Sequence, residues 1–270
     1  MKYTFDDTKH LHLLDERPLT GTSSITDVLA KVLTWWASGL AVGKFGWVKK
    51  ADPRKATKEE IEKNEIERNN KAVEMLGRLG GMNTQDYINL LDEAYKAHSV
   101  KLKDSAKTGT DLHAELEHWV RAKMGIGPMR ADYDVKIKPF TDWAEANVKR
   151  FLWSEAHCFD EVLFVGGISD AGAKLNDGSL AVIDFKSAKE VYESHFIQAA
   201  GYATQIEKNG LWDKNGKVNK KLDKQIGYLI IVPFGANKIE PTARQDVANC
   251  KEAFAHCVAL YRFLGLTKNN

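Results

Sequence analysis

Apolar spacing along the chain is helical up to about Trp153 and turns to strand alternation beyond it. Ser23 or Ser24 can cap a helix through Val28, Leu29, Val32, Leu33 and Trp36, ending near Gly39, and Thr57 precedes a charged helix from Lys58 to Arg78 that Gly80 and Gly81 close. Further helices are expected from Thr84 to His98, from Thr110 to Lys123 and from Pro139 to Phe151. From Cys158 the pattern is a β-meander: a strand to Val165, the pair Gly166-Gly167, a second strand to Leu175, the turn Asn176-Asp177-Gly178, and a third strand from Ser179 to Lys186. A helix from Glu193 to Lys208, a Lys-rich polar loop, an apolar strand from Ile226 to Val232 and a helix from Ala243 to Phe263 complete the series. The expectation is a mixed α/β fold in one domain over residues 1–270, with a mainly helical part over 1–152 and an α/β core over 153–270.

The hairpin turn decides which residues face each other. If Asn176-Asp177-Gly178 is a three-residue loop with Gly178 in the left-handed position, Leu175 pairs with Ser179 and Asp170 falls opposite Asp184. Strand alternation puts Lys186 on the face of Asp184 and leaves Ala181, Ile183 and Phe185 on the other. Opposed aspartates repel unless a cation lies between them or a proton is shared. Oxygen ligands suit Mg²⁺ or Mn²⁺ rather than zinc. Such an ion polarises a phosphoryl oxygen and acidifies a bound water, and Lys186 can orient that water or stabilise charge on phosphorus. Phosphodiester hydrolysis is the chemistry this suggests; a surface hairpin with ordinary charged side chains is the plainer alternative.

Composition narrows the partners. The 270 residues are 43% hydrophobic, enough for a core without disulfides, and 39 Lys and Arg against 37 Asp and Glu leave a net charge of +2. A polyanion site must then be a local patch. Cys158, Cys250 and Cys257 suit a reducing compartment and are too few for a four-thiolate iron–sulfur cluster, and Cys250 and Cys257 with Phe254 and Tyr261 read as a buried helix face. Asp6, Asp7, Lys9 and His10 precede any apolar run, unlike a signal peptide, and no apolar run reaches membrane-spanning length, so a cytoplasmic protein is expected.

Gly167-Ile168-Ser169-Asp170, Asp184-Phe185-Lys186 and Gln198-Ala199-Ala200-Gly201-Tyr202, in this order, together resemble the PD-(D/E)XK nuclease superfamily, closest to its RecB-like and phage exonuclease branch. Gly109-Thr110-Asp111-Leu112-His113 resembles the Gly-x-x-x-His helix start of that branch, and Thr22-Ser23-Ser24-Ile25-Thr26 is similar in style. The likeness covers Gly109 to Tyr202. It implies a restriction-endonuclease-like core in which Asp170 and Asp184 bind the metal, His113 completes the site, Lys186 is catalytic, and Gln198 and Tyr202 line the site or touch the DNA backbone. Glu155 lies where relatives carry a further acid, with Asp160 and Glu161 as competitors, and Glu117 shares a helix face with His113. The implied activity is Mg²⁺- or Mn²⁺-dependent hydrolysis of DNA to a 5′-phosphate and a 3′-hydroxyl, most simply by an exonuclease of recombination, repair or phage DNA processing. A structure- or site-specific endonuclease and an inactive DNA-binding module are the alternatives. The implied partners are DNA with a free end and a single-strand-binding or annealing protein, with no membrane, in the host cytoplasm if the chain is phage-encoded.

Three features stand outside that likeness. The segment Gly43 to Lys58 carries Lys44, Lys49, Lys50, Arg54 and Lys55 around Trp47, and reads either as a solvated loop or as a DNA-contacting arm. Trp47, with Trp35 and Trp36, can stack on unpaired bases, although helix packing would equally account for Trp35 and Trp36. Gly39 to Lys44 lacks the spacing of a phosphate-binding loop, which argues against a self-powered helicase-nuclease.

Overall fold

In the computed structural model, which describes residues 2–29, 34–235 and 239–266, without the side chains of 34–36, 98, 101–110 and 219, the chain forms two compact units. One comprises Met1–Ala30 with Thr108–Asn270, the other Lys31–Lys107.

The larger unit is built on a mixed sheet. Strands β5 (Val148–Asp160), β6 (Val165–Leu175) and β7 (Leu180–Lys186) run antiparallel in succession, and α6 (Glu193–Asn209) carries the chain over to β10 (Ile226–Pro233), which lies parallel to β7. Two short strands, β8 (Leu211–Trp212) and β9 (Val218–Lys220), extend the β5 edge, and β11 (Thr242–Arg244) closes the other, giving the order β11-β10-β7-β6-β5-β8-β9. The sheet turns one face to α4 (Thr84–Lys123) and α5 (Lys138–Asn147), where Leu116, Trp119, Phe140, Ile183 and Ile230 are buried together. Its other face packs on α6 and α7 (Val247–Phe263) through Val182, Phe196, Ile206, Leu229 and Cys250. Burial on both faces explains why β7 and β10 read as nearly continuous apolar runs. Cys250, Phe254, Cys257 and Tyr261 form the buried side of α7, and α6 approaches so closely that a Cβ on Gly201 would stand 2.6 Å from the Phe254 ring.

The β6–β7 turn behaves as its residues require. Gly178 takes φ +87°, Leu175 donates to the Ser179 carbonyl, and the ladder pairs Lys174 with Leu180 and Ala171 with Ile183.

The first half departs from the helical expectation at both ends. Residues before α1 (Thr22–Thr26) form β1 (Tyr3–Asp6), β2 (Leu11–Leu14) and β3 (Arg17–Pro18), a small antiparallel sheet, and β4 (Thr20–Gly21), which lies parallel to the start of β6. Asp15 and Glu16 both have positive φ in the β2–β3 turn, the conformation that tight hairpins demand. Helix α1 starts at Thr22 after Gly21, with no side-chain cap from Ser23 or Ser24. The Val32 and Leu33 part of the expected first helix lies outside the described residues. At the far end, α5 stops at Asn147 and the sheet begins at Val148, so the expected helical stretch to Phe151 is strand; no glycine or proline marks the change, and Val148, Phe151 and Trp153 fit a strand as well as a helix. The last helix likewise begins at Val247 rather than Ala243, after β11.

The smaller unit contains α2 (Thr34–Gly43), α3 (Lys58–Gly80) and the first part of α4. Thr57 and Glu60 form a reciprocal capping box at the start of α3, with Arg78 in its last turn, as charge–dipole complementarity favours. The helices expected over Thr84–His98 and Thr110–Lys123 are one, because Gly109 costs a helix interior only about 1 kcal/mol and no proline interrupts it.

Candidate active site

Strands β6 and β7 pair only as far as Ala171 and Ile183 and then part: the N-terminal end of β6 is flanked by β4 and β5, while the C-terminal end of β7 continues beside β10. Parting strands leave backbone groups without ladder partners. Asp170, at the fork, fills one such gap by accepting the Phe185 N–H at its Oδ2, 2.6 Å away. Asp184 and Lys186 follow in alternation on β7, away from the Ala181, Ile183 and Phe185 face that packs under α4 and α5.

Three side chains from different elements converge at the fork. His113 of α4, Glu155 of β5 and Asp170 of β6 bring candidate ligand atoms within 4.8 Å of one another. His113 Nε2 is 3.6 Å from Asp170 Oδ2 and 3.9 Å from Glu155 Oε1. Its ring is set edge-on to Phe185 at 5.6 Å, and Leu112 and Leu116 on the same helix are buried in the core. Glu155 adopts φ +49° in the middle of a strand, between Ser154 paired with Ala171 and Ala156 paired with Ser169. A left-handed non-glycine residue costs on the order of 1 kcal/mol or more, and such strain concentrates where a side chain must be re-aimed.

The electrostatics are unbalanced. Burial, then the neighbouring Asp170 charge, pushes Glu155 up to about 8, although His113 opposes the shift. Asp184 is raised to about 6 by burial, against the attraction of Lys186, whose Nζ lies 2.8 Å from Asp184 Oδ2. Burial would lower His113, yet Asp170, Glu155 and Glu117 together outweigh it and raise the imidazole. Glu155 Oε1 is buried with no hydrogen-bond partner among the described residues. An acceptor left bare among carboxylates is what a missing cation would satisfy. One imidazole with two carboxylates fits a divalent ion with octahedral leanings, and is taken more readily by Mn²⁺ than by Mg²⁺.

A cavity of about 690 Å³ opens over the trio, lined on the core side by His113, Glu155, Asp170 and Tyr202. Gln198 donates from Nε2 to the Tyr202 hydroxyl at 2.9 Å, as two residues one helical turn apart allow. Burial and the charges of Asp184 and Asp170 hold Tyr202 protonated. The opposite wall comes from the N-terminal strands, with Lys9 to His12 and Thr20 to Ser24. Thr22 anchors that wall: its hydroxyl donates to the Gly166 carbonyl at 3.0 Å and accepts from Gln205 at 2.7 Å.

The fork thus gathers His113, Glu155, Asp170, Asp184 and Lys186, with Gln198 and Tyr202 beside it. Asp184 is not one of the three mutually close ligand groups; it holds Lys186 instead. Glu117 pairs with Arg121 at 3.4 Å, and its charge reaches both His113 and Glu155. Asp160, a competitor of Glu155, is occupied structurally, accepting from the N–H groups of Val162 and Leu163 and from Lys208, which also contacts Glu161. His113 stands well inside α4 rather than in a first turn. Thr22 lies in the Thr22-Ser23-Ser24-Ile25-Thr26 segment noted in the sequence, whereas His12 in the cavity wall and Gln205 behind Thr22 were not singled out; for His12 the signal was brief alternation in Tyr3-Thr4-Phe5 and Leu11-His12-Leu13.

The basic segment belongs to the smaller unit. Asn64 of α3 grips it by accepting the Ala51 N–H and donating to the Lys49 carbonyl. Lys49 and Lys50 are exposed, Trp47 is about half exposed at 47%, and Arg54 forks onto Asp52 through Nε and Nη2 at 3.1 Å. Trp35 and Trp36 lie on α2, and their side chains are outside those described.

No helix among the described residues is long and apolar enough to cross a membrane. No protein-family model matches the chain, and no curated protein matches its sequence.

Proposed function

We propose that the chain is a divalent-metal-dependent deoxyribonuclease, acting as an exonuclease on a restriction-endonuclease-like core. The observation that carries this is the trio His113, Glu155 and Asp170, with a bare buried acceptor on Glu155, beside the Asp184–Lys186 pair. The motif order of the nuclease superfamily, with Asp170 on β6, Asp184 and Lys186 on β7 and Gln198 and Tyr202 on α6, supports the same function. His113, Glu155 and Asp170 would hold Mg²⁺ or Mn²⁺, which when bound would supply positive charge to the phosphate and acidify water.

The protein's own groups have distinct tasks. Asp184, buried and fixed in β7, keeps the Lys186 ammonium in place, where it can stabilise charge on phosphorus or orient the attacking water. Asp170 is held still by the Phe185 N–H. Because Gln198 donates to its oxygen, the Tyr202 hydroxyl proton is left to donate to a phosphate oxygen.

Incubating the purified protein with end-labelled linear and circular single- and double-stranded DNA tests this. Mn²⁺ should release label from linear DNA, EDTA should abolish release, and circles should survive. Cleavage unaffected by EDTA, or no cleavage of any DNA with Mn²⁺ present, would overturn the proposal; cut circles would replace the exonuclease by an endonuclease.

A further inference from the structure

The β8–β9 hairpin and the loop after it form a dense run of cations in the larger unit, four of the five without an ion pair among the described residues. Lys214, Lys217, Lys220, Lys221 and Lys224 share this stretch with only Asp213 and Asp223, so it carries more positive charge than the net +2 of the whole chain. All five lysines are exposed. Asp213 is engaged in its own turn, accepting the N–H groups of Asn215 and Lys217. Lys214 reaches Asp7 at 3.3 Å, whereas Lys217, Lys220, Lys221 and Lys224 make no ion pair among the described residues. Lys208 and Lys251 nearby are the contrast, each bound to a carboxylate within 2.7 Å.

The hairpin is also fixed relative to the fork. Trp212 pairs with His157, two residues along β5 from Glu155, and its ring packs on Phe159 at 5.1 Å and Tyr3 at 5.9 Å. By strand geometry this attachment is about 7 Å along β5 and about 5 Å across from the Glu155 position. Gly216 lies against the Tyr3 carbonyl, so the hairpin abuts the N-terminal strands that wall the cavity. Lysine on an edge strand also guards against pairing with other chains. That need is met on β9 by Lys220, while Lys214, Lys217, Lys221 and Lys224 lie in the turn and loop, where no edge is offered.

We infer that this lysine hairpin is a second binding site for the substrate's phosphodiester backbone, which tracks DNA several nucleotides away from the bond at the fork. The inference rests on the nuclease function and adds to it a sequence-independent contact outside the catalytic cavity. Lysine suits the role because point-charge contacts with phosphate release counterions without reading bases.

The test compares the wild type with the Lys217→Gln, Lys220→Gln, Lys221→Gln, Lys224→Gln variant, checked for an unchanged thermal transition. Binding of a fluorescent single-stranded 30-mer in EDTA is measured across a salt series, and hydrolysis of both the 30-mer and thymidine 5′-(p-nitrophenyl phosphate) is followed in Mn²⁺. The variant should lose about 2 to 3 from the logarithmic salt slope, at about 0.7 per lost contact. Cleavage of the 30-mer at limiting concentration should drop about ten-fold or more, while the small ester, too short to reach the hairpin, turns over as in the wild type. A wild-type slope and wild-type 30-mer cleavage in the variant would overturn the inference and leave these lysines as edge guards. Ester and 30-mer both inert with the wild type would instead remove the nuclease function, and binding of poly-glutamate or anionic vesicles in preference to the 30-mer would reassign the hairpin to those partners.

Discussion

Two buried polar clusters meet β5 two residues apart, and they are built on opposite terms. At His157 the Tyr3 hydroxyl bridges two imidazoles, 2.6 Å from His12 Nδ1 and 3.0 Å from His157 Nδ1. A hydroxyl can donate to one ring and accept from the other, so all three groups are satisfied while neutral. Burial enforces neutrality, pushing His12 down to about 3 and lowering His157. At Glu155 the opposite holds: three carboxylates, Glu155, Asp170 and Asp184, share Lys186 and His113, Glu155 Oε1 is left bare, and the backbone is strained. Polar groups are buried cheaply when neutral and mutually bonded, and charges only when something neutralises them. The first cluster is architecture. The second leaves a buried acceptor on Glu155 without a partner, as a cation site would.

That contrast breaks most sharply on catalysis. Lys186→Ala should slow DNA cleavage several hundred-fold, about 3 to 4 kcal/mol, with DNA binding retained, because only the cation near the reacting phosphate is lost. Tyr3→Phe, in the satisfied cluster, should leave the rate within a few-fold. Equal rate losses in the two variants, measured in single turnover, would erase the distinction.

Stability should sort the other way. Tyr3→Phe leaves two buried ring nitrogens without their bridge and should cost about 1 to 3 kcal/mol in urea unfolding, with or without Mn²⁺. An unchanged midpoint would show that the bridge contributes nothing.

The neutral cluster also fixes a pH dependence. With His12 held near 3 in the fold and near 6.5 when unfolded, the unfolded chain takes up the proton first as pH falls. Stability is therefore full above about pH 6.5 and is lost toward pH 3, by up to about 1.4 kcal/mol per pH unit from this group. His157 acts in the same direction. Because Glu155 and Asp184, both raised in the fold, act in the opposite direction, the expectation is a difference: between pH 7 and pH 5 the melting temperature of His12→Gln should rise relative to that of the wild type, and parallel curves would mean that His12 is charged in the fold.

The smallest expected effect is the most diagnostic in sign. At pH 9, above the value of about 8 to which Glu155 is pushed, Glu155→Gln removes a desolvated charge that faces Asp170, so in EDTA it should stabilise the protein by about 1 kcal/mol. A destabilised variant would mean that the Glu155 carboxylate is already neutralised by its surroundings.

How far these clusters were legible depends on what each required. The register from Lys174–Leu180 to Ala171–Ile183 followed from one turn, since Asn176-Asp177-Gly178 leaves little choice of pairing, but the Asp170–Asp184 pair expected from it is not in the ladder, and Asp170 accepts the Phe185 N–H instead. The parting of the strands after Ala171 and Ile183 was not legible, because competition from β4 and β10 for the same backbone is non-local. Glu155 could not be separated from Asp160 and Glu161 by position alone; a left-handed φ inside a strand has no one-residue signature, whereas Asp160 serves a turn. The Tyr3–His12–His157 cluster joins groups up to 154 positions apart, and Tyr3 and His12 lie on strands of four residues, too short to alternate convincingly. The stretch from Ser99 to Gly109, left between two expected helices, is part of the single helix α4.

On the proposed function, the excess of negative charge at the fork marks a divalent-metal site. Calorimetric titration of Mn²⁺ into the wild type, Glu155→Gln and Tyr3→Phe addresses it without relying on any substrate. The wild type and Tyr3→Phe should bind Mn²⁺ alike, and Glu155→Gln at least about ten-fold more weakly. Equal affinity in all three proteins, or no binding to the wild type, would contradict the account.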